Sequence, residues 1–296
     1  MIKLLTALGI SLTLLNGPMV AYALEWKQLH EKAETMSVAQ VEAALAARPS
    51  DISDLYVSGL VYLLAHKDTQ AAEAFNKILA LDPAVIEARW GVAEALCRQH
   101  DLKRGEAILN EVANEAPDFP LTYLTIGYIR YLECNFGDAA EMAGKVLGMG
   151  EKNIDRPDRM RAYILYAGAK GMIAHYGGPF SKIINGTVVL ANLKAAKKIN
   201  PDSAEVMFGL GSFYLLAPSP AGGNLQKAGE YLTKAIEIDP LMPEAYVRLG
   251  QFYKIKGDVA RYDEYVSKAL SLDPGNELAL DIKSGRCKFI GPGGDR

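Results

Sequence analysis

A chain of 296 residues with 32 Lys and Arg against 35 Asp and Glu carries a net charge of −3, which argues against the basic stripe that nucleic-acid binding needs. Half of the residues are apolar, enough for a continuous core, and no run of five like charges marks a charged tail. Of the three cysteines, Cys97, Cys134 and Cys287, at least one has no intramolecular partner.

Residues 1–23 read as a secretory signal. Lys3 is the positive end, 4–15 an apolar core, Asn16-Gly17-Pro18 a break, and Ala21-Tyr22-Ala23 a small-x-small cleavage site. The alternative is an uncleaved membrane anchor, for which the apolar core is short. No Cys follows Ala23 to carry a lipid. Cleavage would remove Lys3 and leave a net charge of about −4 (31 minus 35). The expected location is periplasmic or secreted, with no membrane span after cleavage.

Residues 24–50 then form a degenerate amino-terminal capping unit: a truncated helix around Trp26, and a second helix capped by Ser37 that carries Val38, Val41 and Leu45. From 51 to 275 the chain is periodic. Pro49, Pro83 and Pro117 are 34 residues apart, and so are Pro240 and Pro274. The unit at 52–85 has Leu55, Gly59 and Tyr62, then Ala71 and Phe75. The unit at 86–119 has Ala93, Leu96 and Leu109. The third, from Pro120, has Tyr123, Ile126 and Gly127, then Ala139 and Val146, with Glu151 where Pro is expected.

The fourth unit is longer than the rest. Seven extra residues around 152–158 precede a helix at 159–175. Nine more, around 175–182, form a loop before the partner helix at 187–199. The fifth, 204–240, has Met207, Leu210, Gly211 and Tyr214, and a five-residue loop insertion within 217–224. The sixth, 243–274, places Tyr246, Leu249, Gly250 and Tyr253 on one helix, a turn at Gly257-Asp258, and Val266 and Ala269 on a second. Residues 276–296 form a capping helix through Lys283 and a Gly-rich tail that reads as disordered.

A bulky residue followed by x2-Leu-Gly-x2-Tyr, a turn, a second helix and a closing Pro resembles the tetratricopeptide repeat. The resemblance covers 37–274. It implies an all-α, right-handed solenoid of about six helix hairpins whose first helices line a concave groove. Repeat positions 5, 9 and 12 would face that groove. The apolar residues there are Tyr56, Leu60, Leu63, Trp90, Leu124, Tyr128, Tyr131, Leu165, Met172, Phe208 and Leu215, with Val247, Gln251 and Lys254 making the sixth unit more polar. The expected occupant is a protein or peptide with an apolar face, or a lipid-like ligand. The competing reading is that the inserted loops, with Tyr176, Pro179 and Phe180, fold inward and fill the groove. The family's carboxylate clamp of Lys, Arg and Asn is missing, since position 5 is never Lys and position 9 never Asn. A narrower resemblance lies in Ala-Pro-x3-Gly-Gly-Asn at 217–224. It is similar to an insertion in exported bacterial repeat proteins such as the periplasmic T component associated with TRAP-type transporters, which implies a carrier or transporter-associated subunit.

The remaining motifs point away from catalysis. Position 15 holds His66, His100, Cys134 and His175, which are metal-ligand types, but neighbouring helices are about 8–10 Å apart and a metal needs ligands about 2 Å away. Position 15 also ends a helix, where His tolerates left-handed backbone better than most residues. Asn185-Gly186-Thr187 matches a glycosylation acceptor, or a turn with Thr187 capping the next helix. No phosphate loop, nucleophile elbow, CxxC pair or paired carboxylates stand out. No enzyme activity, cofactor or metal is expected. Cys97 and Cys134, on adjacent repeats, are either bridged or buried as small apolar residues.

Overall fold

The computed structural model describes residues 18–150, 153–286 and 288–289, with side chains from Trp26 onward. The expected export signal therefore lies almost wholly outside the described residues, as do Cys287 and 290–296. Among the described residues there are fifteen α-helices and no strand. Helix α1 (Pro18–Ala33) and α2 (Val38–Ala47) precede six antiparallel pairs: α3 (Ile52–Leu64) with α4 (Asp68–Leu81), α5 (Ile86–Arg98) with α6 (Leu102–Glu115), α7 (Pro120–Leu132) with α8 (Phe136–Gly148), α9 (Arg156–Tyr176) with α10 (Pro179–Ile199), α11 (Ala204–Leu216) with α12 (Leu225–Ile238), and α13 (Pro243–Ile255) with α14 (Val259–Leu272). Helix α15 (Glu277–Ser284) closes the stack.

The turn inside four of the six pairs repeats with the sequence. His66, His100 and Cys134 have φ of 56°, 66° and 64°, and Gly257 has φ 82°. Left-handed backbone at this point ends a helix by letting the next N–H reach back to an otherwise orphaned carbonyl. Lys67 N–H donates to Tyr62, Asp101 to Leu96, Asn135 to Arg130 and Asp258 to Tyr253, at 2.8–2.9 Å. The second helix then starts on a side-chain cap in three of these four cases, from Asp101, Asn135 and Asp258. Between repeats, Asp82, Asp239 and Asp273 each accept from the N–H two residues on, an Asx turn just ahead of the closing Pro.

Packing within and between repeats depends on small residues facing rings. Phe75 is fully buried between α3 and α5. A Cβ on Gly59 would lie 2.5 Å from its ring, and one on Gly91 2.6 Å. The first helices are apolar on nearly every side: α3 buries ten consecutive residues, from Asp54 to Leu63. The second helices are amphipathic and form the solvated outer layer.

The fourth repeat departs from expectation. The nine extra residues do not form a loop. Helix α9 runs on to Tyr176 and α10 begins at Pro179, so both are 21 residues long where other first helices have 13. Only Gly177 and Gly178 separate them. Pro179 stands at the first position of α10, where a missing N–H costs nothing. Thr187 is consequently inside α10, its hydroxyl donating to Ile184 C=O, and caps nothing. His175 is likewise helical and does not share the left-handed turn of the other position-15 residues. The fifth-repeat insertion is a loop as expected. It contains a 3-10 turn, Ser219–Ala221, and a left-handed Gly222.

Gly59→Ala should press on the Phe75 ring. Overpacking of about 1–3 kcal/mol outweighs the gain of about 1 kcal/mol in helix propensity. A lowered urea midpoint is expected, partly restored when Phe75→Leu is added. An unchanged or raised midpoint for Gly59→Ala would contradict this packing.

Candidate functional site

The first helices surround a cavity of about 1280 Å³. Leu60, Leu63, Trp90, Leu124, Tyr128, Tyr131, Leu165, Met172, Phe208 and Leu215 all line it, so ten of the eleven apolar groove residues read from the sequence meet in one space. Tyr56 does not: it is fully buried, because α1 lies over it. Polar groups interrupt the lining. Trp90 Nε1 donates to Thr125 Oγ1 at 3.0 Å, and that hydroxyl donates to Glu94 at 2.6 Å, which fixes the Glu94 carboxylate at the wall.

The chain fills part of its own groove, but not with the elements expected. Phe180 is 83% exposed and Ile183 67%, so the tip of the α9–α10 pair projects outward. Helix α1 instead packs on α3 and α9, along the concave side. The Trp26 ring meets Tyr56 edge-on with centroids 4.4 Å apart. His30 stacks on Tyr56, and its Nε2 lies 2.6 Å from the Tyr56 hydroxyl. On its other side His30 Nδ1 is 2.8 Å from Asp155 Oδ2 and 3.4 Å from Asp158 Oδ2. Asp155 also caps α9 through Oδ1, and Asp158 pairs with Arg161, which reaches Glu34 just past the end of α1.

Electrostatics in this cluster are dominated by burial. Burial alone would lower the His30 pKa, but hydrogen bonds and charge from Asp155 and Asp158 outweigh it and hold the imidazole up at about 9. Burial and the charge of Asp155 push Asp158 up to about 6, while the His30 partner draws Asp155 below the usual carboxylate range despite its burial. Burial likewise pushes the Cys97 thiol up to about 12, as expected of a small buried residue, and Cys97 and Cys134 are both free.

The other end of the chain enters the groove from the opposite side. Phe289 is 3% exposed and stacks on Tyr131 with centroids 5.8 Å apart. Its N–H donates to Asp281 at 2.8 Å, and its carbonyl accepts from Arg248 at 3.0 Å. Tyr176 stacks on Phe136 and donates to the Lys288 carbonyl. The polar face of the sixth repeat is explained by this contact: Arg248 and Gln251 are buried and bonded to each other beneath the carboxy-terminal segment.

The solenoid also touches itself after one turn. His66 Nε2 is 2.8 Å from Asp239, and His100 Nε2 is 2.9 Å from Asp273, with Nδ1 3.1 Å from Glu277. Both His–Asp pairs span 173 residues. The left-handed turns of repeats one and two thus face the Asx turns that end repeats five and six. His100 rests on Gly275, where a Cβ would come within 2.5 Å of the ring. Sequence reasoning found the turn role of His66 and His100 but missed these partners. The available signal was two columns, His and Asp, each stepped by 34 with one common offset. The His30 cluster had no comparable signal.

Tetratricopeptide-repeat models match residues 63–123, 221–240 and 243–276. Over 103 residues, 35% of the chain, the sequence is 26% identical to the protein adenylyltransferase fic-1 of Caenorhabditis elegans, and it spans only a fifth (20%) of that relative's length. Among solved structures, the APC/C hetero-tetramer Cut9–Hcn1 matches over 88% of this chain and 48% of that one, with 18% identity and a TM-score of 0.57. A tetratricopeptide-repeat protein from Parabacteroides merdae matches over 87% of this chain and 97% of that one, with 14% identity and a TM-score of 0.51. At these identities the likeness is one of fold.

The closure has a pH dependence of definite sign. Burial works to lower the His100 pKa, but hydrogen bonds to Asp273 and Glu277 outweigh it and raise the value above ordinary histidine. The stability this pair contributes is therefore complete below about pH 6.5 and is lost as pH rises through the raised folded value. Small-angle scattering should show the radius of gyration growing as pH rises through that folded value. His100→Gln and Gly275→Ala should show the larger value at every pH; identical scattering from wild type and His100→Gln would contradict the closure.

Proposed function

We propose that this chain, which belongs to the tetratricopeptide-repeat proteins, is an exported, non-catalytic interaction scaffold whose groove holds the apolar face of a partner protein or peptide. The observation that carries this reading is the single cavity to which five successive repeats contribute the same apolar positions. Leu60, Leu124, Leu165, Phe208 and their neighbours give apolar area, and the fixed Glu94 carboxylate gives a polar anchor. Such a mixture suits an amphipathic segment. Export rests on Lys3, the apolar core at 4–15 and Ala21-Tyr22-Ala23. Among the described residues no helix is long and apolar enough to cross a membrane.

A second reading, a carrier for an apolar small ligand, draws on a different observation: the His66–Asp239 and His100–Asp273 contacts turn an open groove into an encircled one. An encircled site suits a molecule enclosed entirely. Native mass spectrometry of the protein from its own host separates the two, as a bound polypeptide or a bound lipid-like molecule.

Tyr128 is 40% exposed at the centre of the cavity, so its truncation removes contact area with little cost to the fold. The double substitution Tyr128→Ala with Phe208→Ala should weaken partner binding at least tenfold in a titration. A small change in melting temperature should accompany it. Full retention of binding would show that the partner uses another surface.

A further inference from the structure

We propose that His30, Asp155 and Asp158 form a binding site for a divalent first-row cation such as Zn²⁺, which ties α1 into the groove. Three ligand atoms of suitable type converge: His30 Nδ1, Asp155 Oδ2 and Asp158 Oδ2, all within 4.8 Å of one another. They come from two elements 125 residues apart in sequence, so the arrangement is tertiary and not a by-product of helix spacing. Around a tetrahedral ion with bonds of about 2.0–2.1 Å, ligand atoms lie roughly 3.3 Å apart. The His30–Asp155 and His30–Asp158 separations of 2.8 and 3.4 Å bracket that value.

The far side of each ligand is already held. His30 Nε2 faces the Tyr56 hydroxyl at 2.6 Å, Asp155 Oδ1 accepts from the Asp158 N–H at 2.7 Å, and Asp158 Oδ1 faces Arg161 at 3.3 Å. Partners of this kind orient metal ligands and fix the imidazole tautomer. Charge balance favours a cation too. Two buried carboxylates converge on one ring nitrogen, and that nitrogen carries at most one hydrogen to share between them. A divalent ion satisfies both and neutralises them, while Arg161 remains offset by Glu34. The other acid groups acting on this cluster, Glu87, Glu94 and Glu205, add negative potential and no ligand atom. His30 and Arg161 line the cavity, which gives an ion a route in. An N,O,O donor set suits zinc and its neighbours better than soft copper(I). Binding must displace the proton that the aspartates otherwise keep on His30, so it releases hydrogen ions.

The test is Zn²⁺ stoichiometry and affinity on the full chain after dialysis against metal-free buffer. One equivalent should bind, with a raised melting temperature. His30→Gln and Asp158→Asn should lose it by at least tenfold in affinity, and His100→Gln, at the closure contact, should keep it. Asp155→Asn preserves the helix cap while removing the charge, and a circular dichroism spectrum and metal-free melting temperature close to wild type would show that its loss of binding does not come from failed folding. Cobalt(II) in place of zinc should give the visible absorption of a tetrahedral site. A wild-type protein that holds no more Zn²⁺ than His30→Gln would overturn the proposal and leave the cluster as a protonated ion-pair network.

Discussion

The regularity of the groove depends on the left-handed turn that ends four of the six first helices, α3, α5, α7 and α13. Because His66, His100 and Cys134 recur every 34 residues with the same left-handed backbone, the second helices α4, α6 and α8 leave their turns in the same way. Each following first helix then presents the same positions inward. A repeat array held this way contacts mainly its neighbours, and small per-repeat rotations add up to a superhelix. After five repeats that addition brings the start of the chain back to its end, which is why two ion pairs share one sequence offset.

The forces that build the stack and those that close it differ in size. Stacking buries rows of apolar side chains such as Leu55, Phe75, Ile78, Leu109 and Ile129, each fully removed from water at about 25 cal/mol per Å². Closure rests on two partly exposed His–carboxylate pairs, each worth at most about 1 kcal/mol, together with Phe289 against Tyr131. The seam between the early and late repeats is therefore the weakest part of the ring. Opening there would expose the cavity while leaving the packing within each repeat in place. The two chain ends act differently. Helix α1 is anchored by the buried His30 and its aspartates and by the half-buried Arg161, and the carboxy-terminal segment by Arg248 and stacked rings.

Much of this was legible in the sequence wherever the determinants were local. The Pro ladder and Gly257 placed the helices of repeats one, two, three and six, and ten of the eleven apolar residues at repeat positions 5, 9 and 12 line one cavity. Local signals misled at Pro179, which reads as a breaker but is tolerated in a first helical turn. Residues 179–186, expected in a loop, became the first two turns of α10, and Tyr176 extended α9. The contacts of His30 with Asp155, of Phe289 with Tyr131 and of His100 with Asp273 join residues more than a hundred positions apart. Nothing in the local pattern of any one of these residues names its partner, so only the folded chain brings them together.

The central claim is that the early and late repeats meet and encircle the cavity. Pulsed electron–electron spin resonance between labels at Thr69 and Leu241 addresses it most directly. Both positions are exposed and lie within three residues of His66 and Asp239. Labels introduced through an unnatural amino acid would leave the native cysteines in place. The account predicts one narrow distribution at the short end of the measurable range, broadening toward longer distances when His66 and His100 are both replaced by Gln. A broad, long distribution in the wild-type chain at neutral pH would contradict it and describe an open solenoid.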